Sequence, residues 1–119
     1  MNKDPLLFLT HIFESIEYIE EYTFGKDFEE FLEDTQLQDS VIRRIEIIGE
    51  AAKNLNDDIK EQYPDVPWKD IIGMRDVVVH GYFGVDPKIV WNVVIKDIPS
   101  LKNQIETIIA AISEEKLEK

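Results

Sequence analysis

Arg75, Asp76, His80 and Tyr82 are the residues whose types and spacing could do chemistry in this chain. They lie in the stretch Pro67-Trp68-Lys69-Asp70-Ile71-Ile72-Gly73-Met74-Arg75-Asp76-Val77-Val78-Val79-His80-Gly81-Tyr82. At about 100° per residue, Trp68, Ile71, Ile72, Val78 and Val79 fall on one apolar helical stripe, with Arg75 in its middle. A guanidinium there must reach a carboxylate, snorkel to water, or line a cavity that receives an anionic ligand, because an unpaired buried charge is costly. His80 stands about 140° around and roughly 7.5 Å along from Arg75, so the two do not share a face on an ideal helix. Asp76 precedes His80 by four residues, the separation at which a carboxylate can hold an imidazole nitrogen and favour the protonated ring. Tyr82 is seven residues past Arg75 and nearly on its face if the helix continues through Gly81. The four could converge at one helix end. The plainer alternative is a surface Asp-His contact, an internally paired arginine and a core or interface tyrosine.

The elements that must position these residues are helices. Asp4-Pro5 caps and starts a first helix running to about Tyr22, with Leu9, Ile12, Phe13, Ile16 and Ile19 at helical intervals. His11 looks incidental on it. Asp27 to Glu33 adds a short turn whose Phe28, Phe31 and Leu32 cover the core edge. A second long helix is expected from about Thr35 to Asn56, with Leu37, Val41, Ile45, Ile48, Ala52 and Leu55 as its stripe. Arg43, Glu46 and Glu50 cluster on its other side, where a solvated salt-bridged face is the plain reading. Asn56 to Gln62 is polar, and Pro64-Asp65-Val66-Pro67 extends the chain before Trp68 begins the third helix. Gly81 and Gly84 mark that helix's end. Asp86-Pro87 starts another, which Pro99 interrupts, and a last helix is expected from about Ser100. Val77-Val78-Val79 has strand propensity but no second strand to pair with. The fold class is all-α, an antiparallel helical bundle forming a single domain over residues 1–119.

The order Arg-Asp-x-x-x-His-x-Tyr resembles the Arg-polar-x-x-x-His signature of HEPN domains, and its tyrosine resembles the HepT-like toxin subgroup. A second stretch, Ile42-Arg43-Arg44-Ile45-Glu46-Ile47-Ile48-Gly49-Glu50-Ala51-Ala52, is similar to another recurring HepT-like segment and stands in the correct order before the first. The resemblance covers most of the chain. It implies a HEPN-like bundle, a homodimer, and an RNA-cleaving toxin whose catalytic residues are Arg75 and His80, with Asp76 and Arg43 in support. It further implies a nucleotidyltransferase-type antitoxin that neutralises the toxin by transferring AMP to Tyr82. In this light Gly49 would permit close helix approach, and Ile42 and Ile47 would be surplus apolar positions available to a dimer surface.

A chain of 119 residues with 44% hydrophobic and 32% charged residues suits one soluble domain. The absence of cysteine excludes disulfides and thiolate metal sites, and two histidines do not by themselves build a typical zinc site. No metal or cofactor is expected. The first residues lack the features of a signal peptide and no apolar run approaches a membrane span, so a cytoplasmic location is expected. The formal net charge of −12 opposes general nucleic-acid binding and requires a local positive cleft if RNA is the substrate. RNA carries its own nucleophile, the 2′-hydroxyl, so cleavage without metal needs few residues: His80 for proton transfer and Arg75 for phosphate charge. Two alternatives remain, a noncatalytic nucleotide- or protein-binding module and a purely structural bundle.

Overall fold

The computed structural model describes residues 4–80 and 86–118, with side chains at all of these except 77–80 and 118. Seven α-helices appear in this order: α1 Pro5–Thr23, α2 Phe28–Glu33, α3 Thr35–Asn54, α4 Asp57–Gln62, α5 Trp68–His80, α6 Pro87–Asn92 and α7 Ile98–Glu118. No strand occurs among the described residues. The all-α class is therefore observed, and no described helix is long and apolar enough to cross a membrane.

Local chemistry sets most boundaries. The Asp4 carboxylate accepts from the Leu6 amide at 3.0 Å, with Pro5 in the first turn. Asp27, Asp34, Asn56 and Asp86 cap α2, α3, α4 and α6 in the same manner. The start of α5 is pinned by Trp68, whose Nε1 donates to the Tyr63 carbonyl at 3.0 Å. Gln38 at the start of α3 donates to the carbonyls of Phe31 and Leu32, holding α2 against it. Asp4 is also paired with Lys116, joining the start of α1 to the end of α7. That contact, with the Leu6 amide second, holds the Asp4 carboxyl below its ordinary value.

The centre of the molecule is α3. It packs against α1 on one side and α5 on the other, and also meets α2 and α6, while α7 lies on α1. Leu9, Ile12, Ile16, Ile19, Val41, Ile45, Ile48, Ile105 and Ile108 fill the space between them and are essentially inaccessible. Phe31 is fully buried with its ring 5.0 Å from that of Trp91, so α2 closes one end of this core. Leu32, expected beside it, is instead half exposed.

Three expectations are corrected. The polar stretch after Asn56 forms α4, a six-residue helix whose Ile59 is buried. Pro99 does not separate two helices: a π turn over Val93–Asp97 joins α6 to α7, with the Ile98 amide donating to the Val93 carbonyl. This wider turn accommodates the missing proline donor. Ile42 is not a surplus apolar position, because α3 is covered on two sides and Ile42 is buried.

Candidate active site

The close contact of α3 with α5 depends on Gly49. A Cβ at that position would lie 2.9 Å from the Arg75 Cβ and 3.4 Å from the Ile71 carbonyl oxygen. Glycine therefore lets the α5 backbone approach until Arg75 rests on the α3 surface. The next residue completes the arrangement. Glu50 Oε1 meets Arg75 Nη1 at 2.8 Å, across the seam between the helices. Of the three fates open to Arg75, two are realised together: it has a carboxylate partner, and it lines a cavity.

That cavity is an open groove of about 330 Å³ between α1, α3 and α5. Its α3 wall carries Arg43, Glu46, Ile47, Glu50 and Asn54, which recur at three- and four-residue steps and so share a face. Phe8 and His11 come from α1, and Arg75 from α5. Arg43 Nη1 is 3.4 Å from Glu46 Oε2, a long contact with the arginine largely in solvent. The Arg75 side chain is 37% exposed and that of Glu50 45%. Ion pairs so open to water contribute at most about 1 kcal/mol to stability, so this one orients Arg75 more than it secures the fold. A guanidinium has five N–H donors, and its planar fork matches a phosphate as well as a carboxylate.

The structure brings Arg75 and Arg43 to one groove. Asp76 is exposed on α5 next to Arg75 but does not line that groove. The backbone of His80 ends α5, while its side chain lies outside the described residues, as do Gly81, Tyr82 and Gly84. His11 is the residue that sequence reasoning passed over. It sits one position off the α1 core stripe, where the groove wall runs, and its only signal in the sequence is that the chain has two histidines. Glu50 was grouped with Arg43 and Glu46, but its pairing with Arg75 spans 25 residues and follows no local period. Among the described residues no cluster of His, Cys, Asp or Glu is placed to hold a metal ion.

A family model described as "Ribonuclease HepT-like" matches residues 12–108, most of the chain and both helices that form the groove's arginine wall. The chain belongs to the HepT-like ribonuclease family. Across 116 residues, 98% of its length, it is 51% identical to a Methanocaldococcus jannaschii protein named "Gamma-glutamylcyclotransferase and putative RNase". The chain spans only 52% of that relative. It is 50% identical to the "Probable ribonuclease HepT" of Thermococcus cleftensis over 83% of this chain and 90% of that protein. A "Putative RNase" of Caldanaerobacter subterraneus subsp. tengcongensis is 43% identical over 90% of this chain and 96% of its own length. No solved structure gives a significant match. As a HepT-like ribonuclease the chain is an enzyme of a class that acts on RNA.

Proposed function

We propose that this HepT-like ribonuclease is a metal-independent endoribonuclease, the toxin of a toxin–antitoxin pair, with Arg75 and His80 as its catalytic residues. The observation that carries this reading is the half-exposed Arg75 guanidinium, pinned to α3 by Glu50 in a groove it shares with Arg43. An incoming phosphodiester replaces the Glu50 carboxylate as its acceptor or takes the remaining donors, and Arg75 then offsets the charge that develops on phosphorus. His80 moves the proton to or from the 2′-hydroxyl or the leaving oxygen, and Asp76 tunes its ring. Arg43 adds positive charge to a groove that must attract RNA in a chain of net charge −12.

One protomer supplies one His80. A two-fold homodimer would face two Arg75–His80 sets across a shared cleft, one imidazole serving as base and the other as acid. Tyr82 is the control point. A nucleotidyltransferase antitoxin would join its phenolic oxygen to the α-phosphate of ATP with release of pyrophosphate, placing an anionic nucleotide close to Arg75. The acidic net charge favours a second reading, a noncatalytic module that binds nucleotide or protein in the same groove.

The test is incubation of the purified protein with several RNA classes in the presence of a chelator. Specific products are expected from the wild type and none from Arg75→Ala or His80→Ala, with circular dichroism showing both variants folded. Wild-type cleavage by either variant removes that residue from the mechanism. Binding without any products favours the noncatalytic module.

A further inference from the structure

The chain has three arginines, Arg43, Arg44 and Arg75, among 25 acidic residues, and all three stand on one continuous strip of surface. Arg75 and Arg43 wall the groove of the candidate site. Arg43 also borders a second, shallower depression of about 550 Å³, further along the seam between α1 and α3. Tyr22, Gln36, Ser40, Asp39 and Arg44 line it as well. From Asn54 in the first groove to Gln36 in the second, α3 advances about 27 Å.

The far end of the strip is aromatic. The Arg44 guanidinium carbon lies 4.1 Å from the centroid of the Tyr18 ring, which is itself stacked on Tyr22 at 5.9 Å. Tyr18 is 42% exposed. Among the described residues Arg44 has no carboxylate partner within ion-pair distance. Its charge is held over a π face and remains available to an anion.

We propose that this strip is the path of a single-stranded RNA, with a phosphodiester at Arg75 and Arg43 and an unpaired base against the Tyr18, Tyr22 and Arg44 cluster. The inference rests on the ribonuclease reading of the Arg75 groove and adds the direction in which the strand leaves it. Arginines spaced along a groove track a phosphate backbone, and exposed aromatic rings take bases that are free of a duplex. Polar Gln36 and Ser40, beyond Arg43 and Arg44 along α3, suit a sugar–phosphate chain. Asp39, Glu46 and Glu50 line the same strip, so its three arginines act through the donors they aim at a phosphate rather than through a net positive field.

The experiment measures binding of 2′-O-methyl oligoribonucleotides, which lack the 2′-hydroxyl nucleophile and so are not cleaved, by fluorescence anisotropy to the full chain. Stacking on an aromatic platform predicts that Tyr18→Ala and Arg44→Ala each weaken binding of a strand of about ten nucleotides roughly tenfold, while a strand of about three is held as before. Tyr18→Phe, which keeps the ring, restores wild-type affinity. Unchanged affinity for the long strand in both alanine variants, or equal loss for long and short strands, overturns the path. So does a change of oligomeric state on sedimentation of folded Tyr18→Ala, which would make the cluster an interface between copies. Length-dependent, Tyr18-dependent binding by a protein that cleaves no natural RNA would leave the path standing and remove the ribonuclease reading. Failure of the wild type to bind either strand removes the path, and cleavage of natural RNA then decides the ribonuclease reading by itself.

Discussion

Replacing Gly49 by alanine adds one methyl group where the fold has no room for it. The new Cβ would stand 2.9 Å from the Arg75 Cβ, an atom fixed to the α5 backbone that cannot swing aside as a side-chain tip would. Either α5 retreats from α3 or both helices distort, and overpacking of this kind costs about 1–3 kcal/mol. Against it stands the better helix propensity of alanine, about 0.8–1.0 kcal/mol. Gly73 supplies the control. It lies in α5, and a Cβ there would meet nothing within 4 Å, so Gly73→Ala should collect the propensity gain alone. Propensity cancels in the comparison, leaving Gly73→Ala more stable than Gly49→Ala by about 1–3 kcal/mol. For a chain of this size each kcal/mol is worth about 3–5 °C in Tm, well within calorimetric resolution. Gly49→Ala should also lose RNA cleavage, because the displacement falls on Arg75. Equal melting temperatures for the two variants would refute the close-approach argument.

Phe31→Ala should destabilise the fold by about 3–5 kcal/mol in urea unfolding, because it empties a fully buried site against Trp91. Glu50→Gln should change stability by less than about 1 kcal/mol, since the ion pair it breaks is open to water. The same variant should bind RNA more tightly at low salt, with the advantage shrinking as ionic strength rises, because the carboxylate that competes with phosphate for Arg75 has gone. The Asp4 carboxyl is held below its ordinary value by Lys116, so its contribution is present above that value and lost as pH falls through the folded one; Asp4→Asn should flatten the acid limb of stability against pH. Lys102 is the opposite case. Glu20, at 2.8 Å, raises its ammonium above 10.5, so its contribution is present below that pH and lost as pH rises through the folded value; Lys102→Met should flatten the alkaline limb.

The parts of the fold that were legible in the sequence are those fixed by local chemistry. Asp4-Pro5 marks the start of α1, Trp68 begins α5, and the stripe from Leu37 to Leu55 is the buried face of α3. The expected end of that helix at Asn56 overran by two residues, since Asn56 serves α4 as its cap. Ile42 was misplaced because a single stripe describes a helix covered on one side, and α3 is covered on two. Of the candidate site, Arg75 could be read from its place in an apolar stripe, and the role of Gly49 from the family resemblance. The Glu50 partner and the His11 wall could not, because both arise where distant helices meet. The buried positions Val90, Val93, Val94 and Ile98 keep an ordinary helical spacing and so carry no trace of the π turn. Pro99 reads as a break in the sequence because a proline normally disrupts a regular helix, and the wide turn relieves that conflict.

The π turn also acts as a phase shifter between two sections of one rod. Before it, α6 faces α2 and α3, and after it α7 faces α1, so one continuous helix serves two sets of neighbours. Winding the same residues as an ordinary helix would swing everything beyond by roughly 100°, turning Leu101, Ile105 and Ile108 away from α1, whereas deleting one residue together with the π turn would keep the phase. The wide turn thus takes up one residue more than an ordinary turn would, without rotating the helix beyond it. What this turn has to preserve is the phase it hands to α7, which a π turn with the extra residue and an ordinary turn without it both supply.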